Sequence, residues 1–153
     1  MKDWNVIVTV TDRFAYRHAR RRLRQFGTIE STPFHNVLVM QVADVGVLLA
    51  ALAQMLHEDV SLLNDISRLV PAQVTFDFET KEEFERQASA VILDRASRLA
   101  GGTFHIRLHR RRPGRTNFDD PDHVIDIETV GNRAGLSLWS RDDLRRYSFL
   151  RVD

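Results

Sequence analysis

The stretch WNVIVTVTDRFAYRHARRRLRQFG, Trp4 to Gly27, decides the fold. Val6 to Val10 is rich in β-branched side chains and predicts a buried strand. The period then changes. Ala15, Ala19, Leu23 and Phe26 recur at helical spacing, so a helix is expected from about Arg13 to Phe26, capped by Thr11 or Asp12. Gly27 stands where a helix end favours a left-handed residue. The face opposite the alanines and Leu23 carries Arg13, Arg17, Arg20, Arg21 and Arg24.

The next elements extend that start. Residues 28–32 and 37–42 read as strands around the turn Pro33-Phe34-His35-Asn36. Asp44 caps a second helix, Val45 to about His57, that is apolar almost all round. A mixed segment, 60–70, leads through Pro71 to residues 72–78, where Val74, Phe76 and Phe78 alternate as in a strand. The order β-α-β-β-α-β predicts a ferredoxin-like domain, an antiparallel sheet with helices on one face.

A composition change near Phe78–Thr80 divides the chain into domains 1–78 and 79–153. Thr80 and Glu83 form a capping box before a helix whose Phe84, Ala88, Val91, Ile92, Ala96 and Leu99 share one stripe. Gly101-Gly102 end it. In the strand that follows, Phe104, Ile106 and Leu108 are expected inward, and His105, Arg107 and His109 outward. A strand over 123–130, a turn over 131–135, a strand over 136–139 and a Ser140/Asp143 cap complete the chain, giving an α+β protein.

Composition removes several kinds of chemistry. With no cysteine there is no disulfide, thiolate metal site or cysteine nucleophile. The Gly-x-Ser-x-Gly elbow, the phosphate loop and the dinucleotide fingerprint are all absent. No enzyme is expected, and no cofactor. The start, Met1-Lys2-Asp3-Trp4, lacks the apolar run of a secretory signal, and a cytoplasmic protein without a membrane partner is expected. Net charge is only +1, yet all but Lys2 and Lys81 of the 22 basic residues are arginine, whose planar fork suits phosphate.

Two basic concentrations stand out: the first helix and the stretch RLHRRRPGR, Arg107 to Arg115. Together they predict an electrostatic footprint for nucleic acid, read by backbone and shape more than by base identity. Exposed aromatics able to stack on bases are not obvious from the sequence; Phe118 and Trp139 are the candidates, and Trp139 is expected rather in the core or in domain packing. Two other readings stay open. One is a protein-interaction module that binds a partner enzyme without touching RNA. The other is a small metal-dependent hydrolase built on Asp120, Asp122 and His123, within an acidic cluster that also holds Asp119, Asp126 and Glu128. His105 and His109, four apart on a strand, lie too far apart to share an ion comfortably.

Three segments carry a family resemblance: Thr103-Phe104-His105-Ile106-Arg107-Leu108-His109-Arg110-Arg111, Asp120-Pro121-Asp122-His123-Val124-Ile125-Asp126-Ile127-Glu128, and Gly131-Asn132-Arg133-Ala134-Gly135-Leu136-Ser137-Leu138. They resemble the THUMP domain, an RNA-binding module of tRNA-modifying enzymes. The tail, Ser140 to Leu150, is similar to that of the stand-alone THUMP adaptors of tRNA cytidine acetylation. The resemblance covers roughly residues 80–153 and implies a non-catalytic tRNA-binding adaptor for a modifying enzyme such as an RNA acetyltransferase. It implies a grip on the tRNA acceptor region, through Arg107, His109, Arg110, Arg111 and the turn residue Arg133. Arg115, Arg17, Arg20 and Arg24 join these candidates on charge alone. In the family a helix joins the two parallel strands here represented by 103–109 and 123–130. Only Arg112 to Phe118 stand in its place, which is short for a parallel crossover.

Overall fold

The computed structural model describes residues 3–96, 104–109 and 122–151. The protein is α+β. Its chain forms two compact units: Met1–Pro71 with Arg146–Arg151, and Ala72–Arg145 with Val152–Asp153. The chain therefore passes from one unit to the other more than once.

The first unit holds β1 (Val6–Val10), α1 (Ala15–Leu23), β2 (Gly27–Ser31), β3 (Val37–Val42), α2 (Val45–Glu58), α3 (Leu62–Asp65) and β4 (Ile66–Pro71). The four strands make one antiparallel sheet in the order β2-β3-β1-β4. Val6, Ile7, Val8 and Val10 of the central strand β1 are all buried, so both of its faces are covered and its apolar residues do not alternate with charged ones. Ala15, Ala19 and Leu23 bury one stripe of α1, as their spacing requires. Asp12 accepts hydrogen bonds from the N–H groups of Phe14 and Ala15 at the start of that helix, and Asp44 accepts one from Val47 at the start of α2.

The fourth strand differs from the expectation. It comes from the mixed segment, as Ile66–Pro71, and residues 72–78 belong elsewhere. A register shift opposite Thr9/Val10 breaks its alternation, so Ile66, Leu69, Val70 and Pro71 are buried in an irregular pattern. Pro71 is tolerated because it ends an edge strand, where its missing N–H removes no necessary bond. The outer side of this edge is not bare. Leu69 donates its N–H to the carbonyl of Phe149, and Phe149 and Leu150 are buried with this unit.

Gly27 also has a different role from the one its position suggests. It is the first residue of β2, paired with Val42, and its backbone is not left-handed. A Cβ there would lie 2.1 Å from the backbone oxygen of Gln41 and 3.2 Å from the Cα of Val42. Only glycine permits this approach of β2 to β3. Gly27→Ala should therefore cost about 1–3 kcal/mol, the usual penalty of overpacking, read as a lower denaturant midpoint. An unchanged midpoint would mean that β2 moves away at no cost.

The second unit holds β5 (Val74–Asp77), α4 (Lys81–Ala96), β6 (Phe104–His109), β7 (His123–Val130), β8 (Arg133–Ser140) and α5 (Arg141–Arg146, whose last residue falls in the first unit). Its sheet runs β5-β8-β7-β6. The pairs β5–β8 and β7–β8 are antiparallel, and β6–β7 is parallel. β5 and β8 place Val74, Phe76, Ala134 and Leu136 on one face, where α4 lays Phe84 and Ala88 over Ile125, Ile127, Ala134 and Leu136. Phe76 and Phe78, the alternating residues expected in the first domain, pack against this cluster. Glu83 donates its N–H to the Thr80 hydroxyl and accepts the Glu79 N–H on its carboxylate, and Ser140 pairs reciprocally with Asp143.

The turn between β7 and β8 is shorter than expected. It is Gly131-Asn132 alone, with Gly131 at φ 60°, as the first position of a two-residue hairpin often demands. β8 consequently begins at Arg133 and takes in residues expected in the turn.

Candidate nucleic-acid interface

α1 is short, and its burial leaves most of its circumference to solvent. Arg13 and Arg17, then Arg20, Arg21 and Arg24, are exposed on or beside it. Among the described residues none of these has a carboxylate oxygen within 4.0 Å. Arg20 donates a long bond, 3.4 Å, to the carbonyl of Ile29. Arg22 is the exception in the run. It is half-buried, within 3.7 Å of Asp59 and 3.9 Å of Asp65, and it donates to the Ser61 hydroxyl at 3.2 Å. Hydrogen bonds from the hydroxyl and backbone N–H of Ser61 hold the Asp59 carboxyl below the usual range, and Arg22 adds to the effect. Arg22 is thus a structural cation, and its neighbours are not.

Arg17, Arg20, Arg21 and Arg24 line an open concave surface of about 900 Å³ that also includes Phe14, His18 and Ile29. His18 is within 3.6 Å of Asp65. Phe14 is the residue that sequence reasoning missed. It is 73% exposed, and the Arg13 guanidinium carbon lies 4.9 Å from its ring centroid. The sequence does hold a signal for it: Phe14 falls off the Ala15-Ala19-Leu23 stripe, so nothing in the helix buries it.

The other predicted residues are differently placed. Arg110, Arg111 and Arg115 lie outside the described residues, as do Asp119, Asp120 and Phe118. His109 is the last residue of β6. Arg107 is half-buried, and its partner on β7 is Asp126, which is fully buried. Arg107 and Asp126 lie side by side on one face of the sheet, where a guanidinium can balance a buried carboxylate. Ile106 and Leu108 lie beside Ile125 and Ile127, on the face expected to be inward, yet they are 43% and 37% exposed. The physical reason is the position of β6 at the sheet edge. The α4 cluster covers Ile125 and Ile127 on the neighbouring strand and does not include Ile106 or Leu108.

Arg133 does not project freely from the hairpin. Its side chain is 16% exposed, 3.0 Å from Asp77 and 2.8 Å from the Thr75 hydroxyl. Trp139 is buried and donates its indole N–H to Ser137 at 2.8 Å. Among the described residues no group of three or more His, Asp or Glu side chains comes together to hold a metal ion, and no described helix is long and apolar enough to cross a membrane. Of the two basic concentrations, α1 is the one whose described side chains form a continuous, uncompensated cationic surface. No family model matches the chain, and no curated protein matches it.

Proposed function

We propose that this chain is a non-catalytic RNA-binding protein that docks the phosphate backbone on α1. One observation carries the proposal: Arg17, Arg21 and Arg24 are exposed along one concave surface without carboxylate partners among the described residues. Uncompensated guanidinium groups in a row favour a ligand that brings its own repeated negative charge, and each phosphate neutralised releases counterions.

The wider proposal is a THUMP protein that presents the tRNA acceptor region to a modifying enzyme such as an RNA acetyltransferase. It rests on the matching segments quoted above. The β-α-β-β-α-β succession and the strand order β2-β3-β1-β4 support a ferredoxin-like first unit. The parallel pairing of β6 with β7 supports the THUMP crossover in the second. Filter binding with whole tRNA tests the proposal. Retention that weakens steeply between about 50 and 200 mM salt is expected. No salt-dependent retention would contradict it and favour the protein-interaction module.

A further inference from the structure

We propose that Phe14, with Arg13 against its ring, is a stacking platform for an unpaired base, so that the RNA held on α1 carries a single-stranded stretch. This rests on RNA binding by α1 and specifies the form of RNA that is bound.

A single exposed apolar side chain means little by itself. Phe14 is distinguished by its setting, because it lines the same concave surface as Arg17, Arg21 and Arg24. These positions follow one another at helical intervals over about 15 Å of helix axis. The ring is also firmly based. Its backbone N–H is held by Asp12 at 2.6 Å, and the next N–H by the same carboxylate oxygen at 3.0 Å. With the Arg13 guanidinium over one face, the exposed remainder of the ring is its other face and edge.

The chemistry selects the ligand. The face of an aromatic ring carries negative charge density and repels phosphate, so this residue does not serve the backbone track. It suits a flat, apolar, polarisable group. A nucleobase offers that face only when it is out of a duplex stack, and stacking between an aromatic and a base is sequence-tolerant. Arg13 on the far side strengthens the sandwich by cation–π attraction. The result is a site with one base position at the start of α1 and phosphate positions along its length.

The test uses the full chain and two RNAs: a blunt hairpin whose strands are joined by a non-nucleotide linker, so that no base is unpaired, and the same hairpin with a single-stranded tail. Wild type should prefer the tailed RNA. Phe14→Ala should lower affinity for the tailed RNA roughly 5- to 150-fold, leave the blunt hairpin unaffected and keep the salt dependence. Phe14→Trp should restore binding, and its fluorescence should be quenched by the tailed RNA alone. Equal binding of the two hairpins by wild type, or a Phe14→Ala variant that binds the tailed RNA like wild type, overturns this inference and leaves the α1 interface standing. A wild-type protein that binds neither hairpin overturns both.

Discussion

Arg17→Ala, Arg21→Ala and Arg24→Ala combined should lower RNA affinity by about 100-fold or more at roughly 0.1 M salt, and leave the fold intact. The size follows from counterion release: each phosphate left without its guanidinium removes roughly a five- to eightfold share of binding at that salt. The fold should not notice, for reasons visible in α1. All three side chains are exposed, and among the described residues none is paired with a carboxylate. Alanine is the best helix former, which offsets the few tenths of a kcal/mol that Arg21 contributes as a cation in the last turn. Arg22 is left in place, because removing it would strand Asp59 and Asp65. A large loss of stability in the triple variant would show that the cationic face has a structural role that the geometry does not reveal.

Phe149→Ala should destabilise the first unit by about 3–5 kcal/mol, the range for deleting a buried aromatic. Phe149 is 2% exposed, its ring lies 5.8 Å from that of Tyr147, and its carbonyl takes the N–H of Leu69 on edge strand β4. A domain is stable by only about 5–15 kcal/mol, so this one side chain carries a large part of the total. Ser148→Ala, next to it and exposed, should change stability by less than about 0.5 kcal/mol. Urea unfolding of the two variants makes the comparison. Equal midpoints would mean that the returning C-terminal segment is not part of the core of the first unit.

Much of this fold is legible in the sequence, and its departures have local causes. The β-branched run of β1, the alanine stripe of α1 and the caps at Asp12 and Asp44 follow from short-range chemistry. So do the capping box at Thr80 and the pair Ser140/Asp143. β4 is obscure because a register shift and burial on irregular positions erase its period, and because Pro71 looks like a boundary when it is a strand end. Val74 and Phe76 alternate clearly, but alternation cannot say which sheet a strand joins. Their partners are Leu136 and Ala134 on β8, some sixty residues on. The exposure of Ile106 and Leu108 on β6 has the same origin: periodicity separates the faces of a strand, and how far each face is covered is settled by distant elements.

At the candidate interface, counting charges finds α1 but cannot sort its arginines. Arg22 looks like its neighbours until Asp59, Ser61 and Asp65 fold beside it, and Arg133 looks like a turn residue until Asp77 and Thr75 reach it through β5. Phe14 escapes notice for the opposite reason. It lies among arginines in the sequence, and its importance comes from being left uncovered.

The most direct measurement is the salt dependence of RNA binding by the wild type and by the Arg17/Arg21/Arg24 triple alanine variant. If these guanidinium groups sit on phosphates, the log–log slope of the variant should be shallower by about 2.1–2.7, from roughly 0.7–0.9 for each phosphate no longer neutralised. The same slope for both proteins would show that α1 does not touch the RNA backbone.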